Sequence, residues 1–395
     1  MVRSGLEVLL DDPHTWVPRG ARAAFVCNHT AVDRRLRHAI DLLGAADVTL
    51  VRLFGPEHGV RATAQDMEHV GERRDPVSGL PVTSLYGGDA ASLRPPASSL
   101  DGVDVVLFDV QDVGARYYTY QATLGFVMQV AGPRGIPVVV LDRPNPIGGV
   151  AVEGGTVQPG FESFVGAFPV AVRHGMTVGE LAHWFVAECG VRCDVKVVPC
   201  DGWRRDQWFD ETGLPWVYPS PNMPTLDTAT VYPGTCLVEA TNVSEGRGTT
   251  RPFHLVGAPW LDPNSLVAAL DRTAADAGLE GVLFRPAAFV PGFQKHTRQN
   301  CTGVEIHVTD RHALDALLLG LVVVATVREA DPTSFAWRPD PYEFVRDPPA
   351  IDLLTGSSAF RRALEAGDDW RRVRADWEPE RRAFLDRRRD LLLYR

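Results

Sequence analysis

The stretch Val103-Asp104-Val105-Val106-Leu107-Phe108-Asp109-Val110-Gln111-Asp112 is a β-branched apolar run that stops abruptly in carboxylates and an amide. Val103 to Asp109 predicts a strand, and its nearly continuous apolar run marks one covered on both faces, as in parallel sheets. Three similar runs lie around it: Ala23 to Cys27, Val48 to Phe54 and Pro137 to Asp142. Helical patterns separate them. One carries Leu36, Ile40 and Leu43 on a single face, and another spans Tyr118 to Ala131. Strands alternating with helices predict an α/β, Rossmann-like parallel-sheet N-terminal domain over residues 1–150.

In sheets of this kind ligands bind beyond the carboxyl ends of the strands. Here those ends run into Asn28-His29-Thr30, Gly55-Pro56-Glu57-His58-Gly59, Asp109-Val110-Gln111-Asp112 and Asp142-Arg143-Pro144-Asn145-Pro146. Four strands therefore deliver polar groups to one edge. Asn28, His58, Gln111 and Asn145 become candidate binding residues on that ground. No G-x-G-x-x-G follows the first strand and no P-loop pattern occurs, so neither dinucleotide nor nucleoside triphosphate binding is expected.

Past residue 150 a glycine-rich passage (Gly148, Gly149, Gly154, Gly155, Gly160) looks like a crossing between domains. Residues 151–395 predict a smaller α+β domain. Its helices are expected at Thr177 to Glu188, Ser265 to Ala277 and Ala313 to Val327, and its strands at Asp194 to Val198 and Gly303 to Val308. A closing amphipathic helix is expected over Trp370 to Tyr394, where acidic residues interleave with arginine.

Composition excludes several classes. The 395 residues carry a net charge of −10, which disfavours a general nucleic-acid binder. An anionic ligand would have to be met by local arginines. Six cysteines make no disulfide framework, and Cys189, Cys193 and Cys200 fit no zinc spacing. His29 and His58 belong to different strand ends, and no H-E-x-x-H motif occurs, so no metal or other cofactor is expected. The first residues show no signal-peptide pattern, and no apolar run approaches the roughly 20 residues of a membrane helix. The chain as written reads as cytoplasmic.

Glu57 is the leading candidate for a general acid, since a carboxyl at a partly dry sheet edge has its pKa raised and can donate a proton. The alternative is a Glu that caps the next segment. Glycosidic cleavage uses two carboxylates, or one with help from the substrate's acetamido group. Asp109 and Asp112 are the nearest partners, with Glu239 and Glu245 next, as catalytic or binding groups. Arg116, Tyr117, Tyr118 and Tyr120 form an arginine–aromatic cluster of the sort that grips sugars, and Arg143, His174 and Arg247 stand at similar loop ends. Interdomain packing would use the same residue types.

The motifs, taken in order, resemble the DUF1343 family, whose characterised members are NamZ-type exo-β-N-acetylmuramidases. They are Leu-Phe-Gly-Pro-Glu-His-Gly-Val-Arg (53–61), Gly-Leu-Pro-Val-Thr-Ser-Leu-Tyr-Gly (79–87), Phe-Asp-Val-Gln-Asp-Val-Gly-Ala-Arg-Tyr-Tyr-Thr-Tyr (108–120) and Leu-Asp-Arg-Pro-Asn-Pro-Ile-Gly-Gly (141–149). Further along come Arg-His-Gly-Met-Thr-Val-Gly-Glu-Leu-Ala (173–182), Pro-Ser-Pro-Asn-Met-Pro-Thr-Leu (219–226), Thr-Asn-Val-Ser-Glu-Gly-Arg-Gly-Thr-Thr (241–250), Gly-Ala-Pro-Trp (257–260) and Leu-Leu-Leu-Tyr (391–394). The resemblance spans nearly the whole chain. It implies an active-site cleft between the two domains, Glu57 as the catalytic glutamate, and removal of N-acetylmuramic acid from the non-reducing end of peptidoglycan fragments. Asn222 and Asn242, inside matched motifs, join the binding candidates. One departure stands out: the family often reads Thr-Asn-Pro-Thr-Gly where this chain has Cys27-Asn28-His29-Thr30-Ala31. Many relatives are also exported.

The expected partner is thus a muropeptide or peptidoglycan-derived glycan, with oligomeric state open. Competing readings are an exo-hexosaminidase for another amino sugar and a non-catalytic muropeptide-binding protein. N-acetylmuramic acid carries a lactyl carboxylate, and Arg116 is the first expectation for its cation, with Arg143 and Arg247 in reserve.

Overall fold

The computed structural model describes residues 1–61 and 73–395. Among the described residues seven strands form the first sheet: β1 (Arg22–Cys27), β2 (Thr49–Gly55), β3 (Arg73–Arg74), β4 (Pro81–Ser84), β5 (Val105–Asp109), β6 (Val138–Leu141) and β7 (Val195–Val198). Their order is β3-β4-β2-β1-β5-β6-β7. Every pairing is parallel except that of β3 with β4. The sheet takes its last strand from beyond residue 150. The expected strand near Asp194 to Val198 exists, but it pairs with β6 rather than building a second domain.

The unbroken apolar strands follow from coverage on both faces. Ala24, Val26, Val106, Phe108, Val138 and Val140 point into one large core with the helices Tyr120–Ala131 and Val178–Glu188. The residues between them, Ala23, Phe25, Cys27, Val105, Leu107, Val139 and Leu141, point into a smaller core with Leu6, Leu9, Ile40 and Leu43. The helix that carries Ile40 and Leu43 starts only at Ala39, with His38 as its N-cap. Leu36, expected on its apolar face, lies in the preceding turn with a left-handed backbone and is exposed. A Cβ on Gly5 would fall 2.3 Å from the Asp142 amide nitrogen and 2.4 Å from the Val198 carbonyl oxygen, so the first helix can seat its start on the ends of β6 and β7.

The second sheet is antiparallel and three-stranded, β8 (Leu255–Ala258), β9 (Val282–Phe289) and β10 (Cys301–Val308), in the order β8-β10-β9. The helix Pro263–Ala277 packs on it, and Ala316–Ala330 packs on that helix in turn. Ala316–Ala330 is apolar around nearly its whole circumference and is buried accordingly. It meets the helix Leu226–Thr235, for which the sequence offered no helical pattern, at a Gly234–Gly320 contact with no room for a side chain on either residue.

The C-terminal helix Arg372–Arg388 returns to the first unit. Phe384 packs on Trp184 at 4.6 Å between ring centroids, and Arg388 donates to the carbonyls of His174 and Gly175. Beyond it Tyr394 donates its hydroxyl to Asp142 and accepts the Cys200 amide. Among the described residues no helix is long and apolar enough to cross a membrane.

Candidate active site

The strand order reverses around β1: β2 follows it on one side and β5 lies on the other. That is the switch point at which α/β sheets bind ligands. Glu57 stands two residues past β2, in a turn closed by the Gly59 amide donating to the Pro56 carbonyl at 2.8 Å. His58 and Gly59 are both left-handed there, the first at an energetic cost that glycine avoids. Thr119, just ahead of the helix Tyr120–Ala131, donates its hydroxyl to Glu57 Oε2 at 2.8 Å and so ties the turn past β2 to the start of that helix.

Glu57 and His58 line a pocket whose far wall comes from residues 220–253 and 342–343. Its aromatic lining is continuous. Tyr118 meets Tyr120 edge-on at 5.0 Å and Tyr232 at 5.7 Å, and Tyr232 meets Phe253 at 4.9 Å. Burial pushes the Tyr118 and Tyr120 phenols up, and the nearby Glu57 charge adds to that, so both stay neutral. The same pocket carries a relay of charges. Tyr342 donates to Glu239 Oε2 at 2.7 Å, and Arg247 bridges Glu239 at 2.6 Å and Glu245 at 3.0 Å. Lys295 closes the relay on Glu245 at 2.7 Å. Burial works against the Glu245 charge, but Lys295 and Arg247 outweigh it and hold that carboxyl below its usual value. The Arg247 guanidinium also stacks over Phe253 at 5.1 Å.

Of the residues singled out from sequence, the pocket gathers Glu57, His58, Tyr117, Tyr118, Tyr120, Asn222, Glu239 and Arg247, with Glu245 immediately behind. The others lie elsewhere. Asp109 is fully buried and held by the Arg143 guanidinium, through Nε on one oxygen and Nη2 on the other. Asp112 accepts the Gly114 amide at 2.7 Å and has His174 Nε2 at 3.5 Å, while His174 Nδ1 accepts the Met176 amide. Neither aspartate lines the pocket, so the expectation that they complement Glu57 there fails: the end of β5 is wired inward.

Arg116 requires the same correction. Its guanidinium is completely buried and donates to the backbone carbonyls of Gly155, Val170 and Leu354, where it can meet no sugar carboxylate. Loss of water pushes its pKa down to about 10. Asn28, bonded to Thr30, sits behind Tyr120. Gln111 spans the Asp112 and Pro144 carbonyls, Asn145 ties Met176 to Ile147, and Asn242 pins the loop at Ser334 and Ala336. These are loop-fixing contacts outside the pocket. Among the described residues no three His, Cys, Asp or Glu side chains gather as a metal could use.

The sequence reading missed Tyr86, Tyr232, Tyr342 and Glu343. Tyr86 lay inside a quoted motif without being singled out. Tyr342-Glu343-Phe344 offered one signal, a carboxyl flanked by aromatics in a proline-bounded loop.

A carboxylate-bearing, aromatic-walled pocket at the switch point of a parallel sheet, closed by a second unit, has the ingredients of a glycoside hydrolase site. Comparison with known proteins makes this particular. The family models described as exo-β-N-acetylmuramidase NamZ, N-terminal and C-terminal, match residues 23–227 and 230–394. The chain belongs to this family. It is 41% identical to the peptidoglycan β-N-acetylmuramidase NamZ of Bacillus subtilis (strain 168), over 100% of this chain and 91% of that one. Two solved DUF1343 family proteins of Bacteroides fragilis NCTC 9343 share the fold. One is 32% identical with a TM-score of 0.87, the other 27% identical with a TM-score of 0.75, and each comparison covers 100% of this chain and 99% of the other.

Proposed function

We propose that this chain is an exo-acting glycoside hydrolase that releases terminal N-acetylmuramic acid from the non-reducing end of peptidoglycan fragments. The observation that carries the reading is Glu57, buried at the switch point, bonded to Thr119 and facing a pocket completed by the second half of the chain. In this reading Glu57 gives a proton to the glycosidic oxygen as the bond to the anomeric carbon breaks. The tyrosines form the sugar's wall. Arg247, the one arginine expected from sequence that lines the pocket, meets the lactyl carboxylate, and its neighbours Glu239 and Glu245 fix its plane. The two family matches meet at about residues 228–229, which supports a division between the units there in place of the expected residue 150. The deciding experiment incubates the pure protein with the disaccharide MurNAc-GlcNAc and with chromogenic glycosides of both sugars. Release of N-acetylmuramic acid supports the reading. Cleavage of the glucosaminide alone would favour the hexosaminidase alternative, and tight binding without product a sensing protein.

A further inference from the structure

Glu343 reaches the Glu57 pocket from the opposite half of the chain, on a turn whose chemistry is wrong for a turn. Tyr342 and Val345 exchange both backbone hydrogen bonds, at 2.8 and 2.9 Å, and so close a two-residue loop. Its two central residues, Glu343 and Phe344, have φ values of +45° and +68°. Two consecutive left-handed residues make the type I′ pattern, which asparagine–glycine adopts readily and which glutamate and phenylalanine adopt only with strain. Strained side chains of this kind persist where the surroundings fix them, and they cluster at functional sites.

Both side chains have identifiable duties. Phe344 packs against Tyr86 at 5.8 Å, and the Tyr86 hydroxyl donates to Glu343 Oε2 at 3.1 Å. Tyr86 is itself wedged against Phe164 and almost wholly buried. The turn therefore aims a buried carboxylate, 5% exposed, into the space that Glu57 faces. A phenol donating to a carboxylate favours the ionised form, which is the form that accepts a proton.

We propose that Glu343 is the second catalytic carboxylate, the general base to Glu57's general acid. Resting on the glycosidase reading above, the step balances as follows. Glu343 takes one proton from the attacking water, whose oxygen bonds to the anomeric carbon. The bond from that carbon to the leaving oxygen breaks, and Glu57 supplies the proton that oxygen needs.

Two substrates separate the roles: a muramyl disaccharide, whose leaving oxygen needs protonation, and a dinitrophenyl muraminide, whose leaving group does not. Glu57→Gln should recover much of its loss on the dinitrophenyl substrate. Glu343→Gln should lose about 10²-fold or more in kcat on both. A Glu343→Gln enzyme that keeps a tenth of wild-type turnover, or recovers on the activated substrate as Glu57→Gln does, overturns the assignment. Wild-type protein inactive on both substrates overturns the glycosidase reading itself, and this assignment with it. Glu343→Asn guards against a merely structural role. Asparagine tolerates the left-handed backbone, so this variant should be inactive yet melt no lower than wild type. Activity losses that instead track a fall in Tm across the two variants would reduce Glu343 to a support for the turn.

Discussion

Two groups of buried charges sit within one strand of each other and serve opposite ends. At the tips of β5 and β6, Asp109 is bound by Arg143 and Asp112 has His174 Nε2 3.5 Å away, all four turned inward. Past the tip of β2, Glu57 faces a pocket in which Glu239, Arg247 and Glu343 await it from the other half of the chain. Both groups meet the sequence criterion of polar residues at the carboxyl edge of a parallel sheet. What separates them is whether a second unit opposes them across open space or backbone fills that space. Chemistry at such an edge needs a partner surface as well as a strand end.

The sharpest way to break this contrast is Glu57→Gln. Loss of a general acid should lower turnover of the disaccharide by at least about 10²–10⁴-fold with Tm little changed. A folded variant that keeps more than roughly a tenth of wild-type turnover would remove Glu57 from the chemistry.

Arg116→Ala probes the inward group. It strips the donors from three buried carbonyls and leaves a void, at a cost of at least about 3 kcal/mol. Thermal melting should show a drop of several degrees. Any activity loss should be equal on muraminide and glucosaminide, and a loss confined to the muraminide would return Arg116 to the substrate.

Arg247→Lys tests the outward group by the same pair of sugars. It keeps the charge and loses the fork, so kcat/KM should fall roughly tenfold on the muraminide and much less on the glucosaminide. Equal losses would mean that the Glu239–Arg247–Glu245 relay holds the pocket's shape and the lactyl contact lies elsewhere.

The last effect is seen only through its pH dependence and concerns Asp142, a fully buried group on the inward side. Burial pushes its carboxyl up to about 6, although Tyr394, Thr177 and the Gly179 amide all donate to it. A carboxyl raised above its unfolded value contributes stability that is complete below about pH 4 and is lost as pH rises through about 6. Asp142→Asn cannot ionise. Its melting temperature relative to wild type should therefore improve from pH 4 to pH 7, by the equivalent of about 1–3 kcal/mol. A gap constant with pH would show that Asp142 is already ionised at the lower pH.

The parallel sheet was legible because Val105 to Phe108 and its neighbours are apolar on both faces, a pattern few other arrangements produce. The helix Leu226–Thr235 was not, since Pro233 and Gly234 interrupt it and a close Gly234–Gly320 approach, invisible in one segment, holds it. Glu57 could be found because a strand end and a tight turn announce it. Arg116 misled because arginine among tyrosines looks the same whether it faces a sugar or three carbonyls. Glu343 stayed hidden because its turn breaks the turn rules that sequence reading depends on.

The bond from Tyr394 to Asp142 joins residues 252 positions apart. The sheet from β1 to β7 is complete in sequence by residue 198, yet the hydroxyl that satisfies the carboxylate past β6 arrives only after the whole second unit has been made. During synthesis the first unit must therefore wait with an unclosed seam beneath Asp142. A chain cut short of Tyr394 would carry both units and leave the Asp142 carboxyl without that donor.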